Sequence, residues 1–205
     1  GARVSARRLG ACDSSVGARV SALVGVGVSL RPLVVERRER ALVRDAQRGS
    51  DAALEQLFRL HWPRAYRAAY VVVGDAAAAE DIAQESFLAA VRALDRFDRR
   101  RPFGPWLHRI VVNRAIDWAR ARSLRREIGV EGLAEPAAVE REGDGRTDEL
   151  AAALATLGVE QRAVIVLRYL LDYAPGEIAE LLDLPRGTVN SRLRRGLDRL
   201  EEVLR

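Results

Sequence analysis

From residue 36 onward, apolar residues recur at three- and four-residue intervals, the spacing that gathers them into one stripe of an α-helix. Leu42, Val43 and Ala46 mark a short amphipathic helix that Gly49 and Ser50 end. Asp51 is placed to cap the next helix, which carries Leu54, Leu57, Phe58, Ala65, Tyr66, Ala69, Tyr70 and Val73. Pro63 within it predicts a kink or a break, because proline brings no N–H to the helical ladder. Gly74 and Asp75 end that segment and cap a third helix over residues 76–97. One stripe of it holds Ile82, Ser86, Ala90, Ala93 and Phe97, while Asp81, Gln84, Glu85 and Leu88 fall on a different face. A loop at 98–105 reads Asp-Arg-Arg-Arg-Pro-Phe-Gly-Pro, and Trp106 then opens a long helix to about Arg126. No segment sustains the strict alternation of a strand, so the expected fold class is all-α.

The pattern stops twice. Residues 1–35 mix Arg, Gly, Ser and Val with little periodicity and are expected to form a poorly ordered tail. Their apolar run at 22–30 is short, broken by two glycines and not followed by a small-residue cleavage site, so it reads poorly as a signal peptide. The chain contains no Met, and natural translation is expected to begin nearer Val34 or Val35, with the earlier residues upstream of it. Residues 127–146 hold six acidic residues against two arginines, with five glycines and prolines, and read as a flexible acidic linker. Extended, these residues span up to roughly 66 Å, or about 19 base pairs at 3.4 Å each. Two small helical domains, 36–126 and 147–205, are therefore expected.

In the second domain, Pro175 suits a first helical turn, and Ile178, Ala179 and Leu182 point inward. Asp183-Leu184-Pro185 makes a tight turn, and Val189 and Leu193 anchor a second helix. Asp tolerates the left-handed conformation that such a turn needs better than most residues. This pattern is a helix-turn-helix. Its second helix presents Arg186, Asn190, Ser191, Arg194 and Arg195 on one surface, side chains that suit base edges and flanking phosphates. Gly187 and Thr188 lie at the helix start, where backbone N–H groups favour a phosphate.

Composition sharpens this picture. The 205-residue chain carries a formal charge of +5, and every one of its 34 basic residues is Arg. Eleven of these fall within residues 92–126 against three aspartates, so the basic character is concentrated there. Arg99, Arg100 and Arg109 stand with Phe103, Trp106, Trp118 and Asn113, a combination of cationic forks, aromatic faces and an amide that suits single-stranded DNA with a base displaced from the stack, although Trp106 and Trp118 read more readily as core residues. The single cysteine excludes a disulfide framework, and two distant histidines argue against a metal site. No apolar run is long enough to span a membrane, and the common nucleotide-binding and hydrolase signatures are absent. No cofactor is expected. Glu80, Asp81 and Glu85 form no catalytic cluster with His or Cys, so an enzyme on this scaffold is a poor reading.

These residues also resemble a known family. Ala79-Glu-Asp-Ile-Ala-Gln-Glu-Ser-Phe-Leu88, Arg92-Ala-Leu-Asp-Arg-Phe97 and the Trp106-Leu-x-Arg-Ile-x-Val-Asn113-x-Ala-x-Asp117 helix resemble region 2 of the extracytoplasmic-function (ECF) sigma factors, compact members of the sigma-70 family. Leu167-Arg-Tyr-Leu170, Glu177-Ile-Ala and Gly187-Thr-Val-x-Ser-Arg192 resemble their region 4. The resemblance implies a non-catalytic, cytoplasmic promoter-specificity subunit without membrane insertion. It assigns Asp81, Gln84, Glu85 and Leu88 to core RNA polymerase. The 98–105 loop with Trp106, Arg109 and Asn113 is assigned to the −10 element of promoter DNA. Residues 186–195 are assigned to the −35 duplex. It also implies an anti-sigma factor as a partner. Two departures bear on sequence preference: Gly104-Pro105 stiffens the base-capturing loop, and Asn190 stands where Arg or Lys is common. A plain helix-turn-helix regulator would need neither the Asp81 face nor the Trp106–Asp117 motif.

Overall fold

The computed structural model describes residues 33–128 and 145–205, and all regular structure among them is helical. Four helices form the N-terminal group: α1 (Leu33–Ala46), α2 (Asp51–Val73), α3 (Ala76–Ala93) and α4 (Phe103–Glu127). A 3₁₀ turn at Leu94–Arg96 follows α3. The C-terminal group contains α5 (Gly145–Ala155), α6 (Val159–Ile165), α7 (Pro175–Leu182) and α8 (Arg186–Val203), with a π-helical turn at Val166–Leu170 prolonging α6. Residues 1–32 of the expected tail and 129–144 of the acidic linker lie outside the described residues, and α1 begins at Leu33, inside the stretch expected to be tail.

Local chemistry explains the helix ends. Ser50, one residue before the expected Asp51, caps α2, its Oγ accepting the Ala53 N–H at 3.3 Å. Gly74 closes α2 at φ +70°, a left-handed position that glycine takes without a Cβ clash. Asp75 then caps α3, accepting the Ala78 N–H at 3.0 Å. Pro63 breaks nothing: α2 runs unbroken through it. Its ring is exposed, as is Arg59 one turn earlier, so the ring and the turn it crowds lie on the solvent side of the helix. The long helix α4 begins at Phe103, three residues before the expected Trp106.

α2 sits at the centre of the N-terminal group, packed on α1, α3 and α4. Small side chains (Ala65, Ala68, Ala69 on α2; Ala79, Ala83 on α3) are fully buried, which brings the two helices close. In the C-terminal group, Asp183 takes φ +53° at the corner between α7 and α8, the left-handed turn expected there. Val189, Leu193 and Leu200 bury one face of α8. Gly196 admits α6: a Cβ there would lie 2.7 Å from Ile165 Cδ1.

The two groups dock on one another. α4 meets α6 and α7, and α2 meets α6 and its π turn, so that one apolar core runs through both. Polar links between described residues also cross the boundary. His108 Nδ1 and the Tyr173 hydroxyl hydrogen-bond at 2.7 Å, their residues only 1% and 3% exposed. Arg162 donates to the Val72 carbonyl at 2.8 Å, and to those of Ala155 and Leu157 at 3.0 Å each. Its guanidinium thus covers carbonyls at the C-terminal ends of α2 and α5 and just beyond α5, groups that a helix cannot satisfy internally. Burial pulls its pKa below the ordinary arginine value. Arg120 reaches Glu160 at 2.7 and 3.0 Å.

Candidate nucleic-acid and partner interfaces

α8 presents the helix-turn-helix face to solvent. Arg186, Gly187, Asn190, Arg194 and Arg195 are exposed, and Thr188 and Ser191 are half-buried at its edge. Among the described residues the side-chain bonds of this face are local: Ser191 Oγ donates to the Thr188 carbonyl at 3.0 Å, and Arg195 donates to the Ser191 carbonyl at 3.3 Å and to its Oγ at 3.4 Å. Pro185 occupies the cap position with no side-chain acceptor, so the first N–H groups at Arg186 and Gly187 are left to the surroundings. Exposed arginines beside an uncapped helix start suit a phosphate-lined groove.

The 98–113 surface is assembled differently. Arg99, Arg100, Arg101 and Arg109 are exposed, while Trp106 and Asn113 are half-buried. Asp98 accepts the Arg100 backbone N–H at 3.0 Å and its Nε at 3.1 Å, and the backbone bond is the main reason its carboxyl titrates below the ordinary range. Phe103 is only 4% exposed and packs on His61, Phe97 and Trp106. It floors the loop rather than offering a face to a base, because it is the first core residue of α4. Trp106 packs on Phe97 in a tilted contact, with centroids 4.6 Å apart. Trp118 is covered on one face by the Arg122 guanidinium, 5.0 Å from its centroid, which also reaches Asp75.

Two residues outside the expected set hold this loop. Glu39 Oε1 on α1 accepts the N–H groups of Phe103 at 2.9 Å and Gly104 at 3.1 Å. Gln47 Nε2, just past α1, donates to the carbonyls of Leu94 at 2.8 Å and Phe97 at 3.0 Å. The uncapped Pro102 before α4 signals that some acceptor is required, but not that it comes from 64 residues away. The loop also borders the C-terminal group. A cleft of about 380 Å³ separates Arg101, Trp106 and Arg109 from Tyr173, Glu177 and Glu180.

On the far face of α3, Asp81, Gln84, Glu85 and Leu88 are all exposed. Glu85 pairs with Arg114 of α4 at 2.6 Å, and Gln84 donates to Glu80 at 3.2 Å. Beside them runs an apolar groove of about 370 Å³ between α2 and α3, lined by Leu54, Phe58, Phe87, Leu88, Val91 and Leu94 among others. Leu88 (55% exposed), Val91 (46%) and Phe58 (39%) stand partly in solvent. Phe58 belongs to the apolar pattern of α2 but stands at the edge of its buried face.

The sequence matches the family models for sigma-70 region 2 at residues 57–125 and sigma-70 region 4 at residues 147–200. It is 32% identical over 177 residues to the ECF RNA polymerase sigma factor SigW of Bacillus subtilis, covering 80% of this chain and 95% of that one. The chain belongs to the ECF sigma factors of the sigma-70 family. It is also 32% identical to the sigma factor CnrH of Cupriavidus metallidurans, over 82% of this chain and 95% of CnrH. The solved structure of CnrH with the cytosolic domain of CnrY superposes with a TM-score of 0.63 at 30% identity, covering 82% of this chain and 97% of that one. The structure of the sigma factor RpoE with the anti-sigma factor NepR from Bartonella quintana gives 0.58 at 25% identity, covering 73% and 95%. As a sigma factor, this chain is a promoter-recognition subunit for transcription initiation. Among its described residues no cluster is arranged to hold a metal ion, and no helix is long and apolar enough to cross a membrane.

Proposed function

We propose a division of labour within this sigma factor. Residues 36–126 bind core RNA polymerase and the −10 element, residues 147–205 bind the −35 element, and 127–146 link them. Asp81, Gln84, Glu85 and Leu88 form the acidic and apolar rim of a groove that takes a basic, amphipathic helix of the core enzyme. Arg99, Arg100, Arg109, Trp106 and Asn113 meet the unpaired −10 strand, with Phe103 beneath them. Arg186, Gly187, Thr188, Asn190, Ser191, Arg194 and Arg195 meet the −35 duplex. The protein performs no catalysis of its own and works in the cytoplasm. An anti-sigma factor that covers these surfaces is its regulator, a role supported by the named partner in the RpoE complex.

The observation that carries this reading is the groove between α2 and α3. Three large apolar side chains stand in solvent beside Asp81 and Glu85, an arrangement that folding alone does not reward. The reading also requires motion. In the docked arrangement α7 faces the −10 surface across a narrow cleft, so the two halves part before both elements are read at once. Mixing the purified chain with core polymerase lacking any sigma and following co-elution tests the proposal. Co-elution that is lost on Asp81→Arg with Glu85→Arg supports it. No co-elution of the folded chain overturns it.

A further inference from the structure

We propose that Glu39 and Gln47 are positioning residues for −10 recognition, acting through the loop at 98–102 rather than by touching DNA. The inference rests on the sigma reading above. The loop carries three exposed arginines and leads into the helix turn that bears Trp106 and Arg109. Its two flanks are helix ends, and helix ends leave backbone groups unsatisfied. On the entry side, the Leu94 and Phe97 carbonyls at the end of the 3₁₀ turn both accept from the Gln47 amide. On the exit side, Pro102 offers no capping oxygen and Pro105 has no N–H, so Phe103 and Gly104 carry the first orphan donors of α4. Glu39 takes both with a single carboxylate oxygen.

Each prong has the chemistry its end demands. A carboxylate at a helix N-terminus opposes the positive end of the helix dipole, and an amide donor suits carbonyls at a C-terminal turn. The Glu39 side chain is only 12% exposed, so its bonds are partly shielded from water. Both prongs come from α1 and its C-terminal edge, which packs on α2 and α4. α1 therefore brackets the loop and sets where Trp106, Arg109 and Asn113 stand relative to it. Because the carboxylate already occupies the Phe103 and Gly104 amides, those donors are closed to a DNA phosphate, and contact with the strand falls to the arginines. Glu39 and Gln47 lie outside both residues 57–125 and residues 147–200.

The test uses full-length protein loaded on core polymerase, with promoter libraries randomised separately at −10 and at −35. Glu39→Ala is expected to lower open-complex formation about tenfold, the loss of a charge-assisted pair of bonds, and to flatten preference at −10. Core affinity and −35 preference stay unchanged. Glu39→Gln, which keeps an accepting oxygen, recovers most of the loss, and Gln47→Ala gives the same pattern more weakly. A Glu39→Ala protein with wild-type −10 ranking and opening rate overturns the proposal. So does a loss spread equally over core binding, −35 and −10 preference, which marks a general folding defect. If wild-type protein fails to load on core polymerase, the sigma reading itself falls, and this proposal falls with it.

Discussion

The two surfaces proposed to meet promoter DNA are built in opposite ways. The −35 face is one side of α8, a run of ten residues with local hydrogen bonds and open solvent in front of it. The −10 surface draws on α1, the loop after α3 and the first turns of α4, and stands across a cleft from α7. A face on one helix is complete once that helix folds. A face assembled from separated segments depends on remote side chains, and a neighbouring domain can cover it.

The largest effect is expected at α8. Arg194→Ala should weaken binding to the −35 duplex by about 1–3 kcal/mol if the guanidinium reads a base edge. If it holds only a phosphate, the loss will be uniform across sequences, with a shallower salt slope. In both cases, binding to a −10 single strand should be unchanged, as titrations against each DNA separately would show.

A smaller effect, with the opposite asymmetry, is expected from Tyr173→Phe. It removes the hydroxyl bonded to His108 while keeping the ring, at a cost to docking of about 1 kcal/mol, more if the His108 nitrogen is left without water. The free protein should then open more often, seen as a longer mean distance between fluorophores on α4 and α8. −35 binding should not change.

The smallest effect concerns acid. Arg120, by its hydrogen bond to Glu160, holds that carboxyl below its ordinary value of 4.5. A depressed carboxylate contributes to docking above that value, and the contribution fades as pH falls through the lowered one. The pair is half-exposed, so less than about 1 kcal/mol is at stake. The same fluorophore pair should show opening only below pH 4.5, and Glu160→Gln should remove that pH step.

What could be read in advance follows the same division. Helix periods, the Gly74 and Asp75 junction, the left-handed Asp183 turn and the exposed α8 face are local, and local pattern revealed them. So was the exposed row Asp81, Gln84, Glu85 and Leu88, since a helix period separates faces directly. Phe103 was placed in the loop because the two prolines around it hid the true start of α4. Docking of the halves left no local trace. Arg162 is one arginine among 34, and its role depends on a carbonyl at Val72, 90 residues earlier in the chain. Glu39 sits in a charged stretch where nothing marks it from its neighbours, until folding brings an uncapped helix start against it.

One selection tests the central contrast between an open −35 face and a −10 surface hemmed in by the C-terminal group. The purified chain, alone and loaded on core polymerase, is bound to a promoter library randomised at both elements, and the retained DNA is sequenced. The account predicts that the free chain enriches −35 sequences only, while the loaded chain enriches both at a set spacing. Equal enrichment of −10 sequences by the free chain, or enrichment of neither by the loaded one, contradicts it.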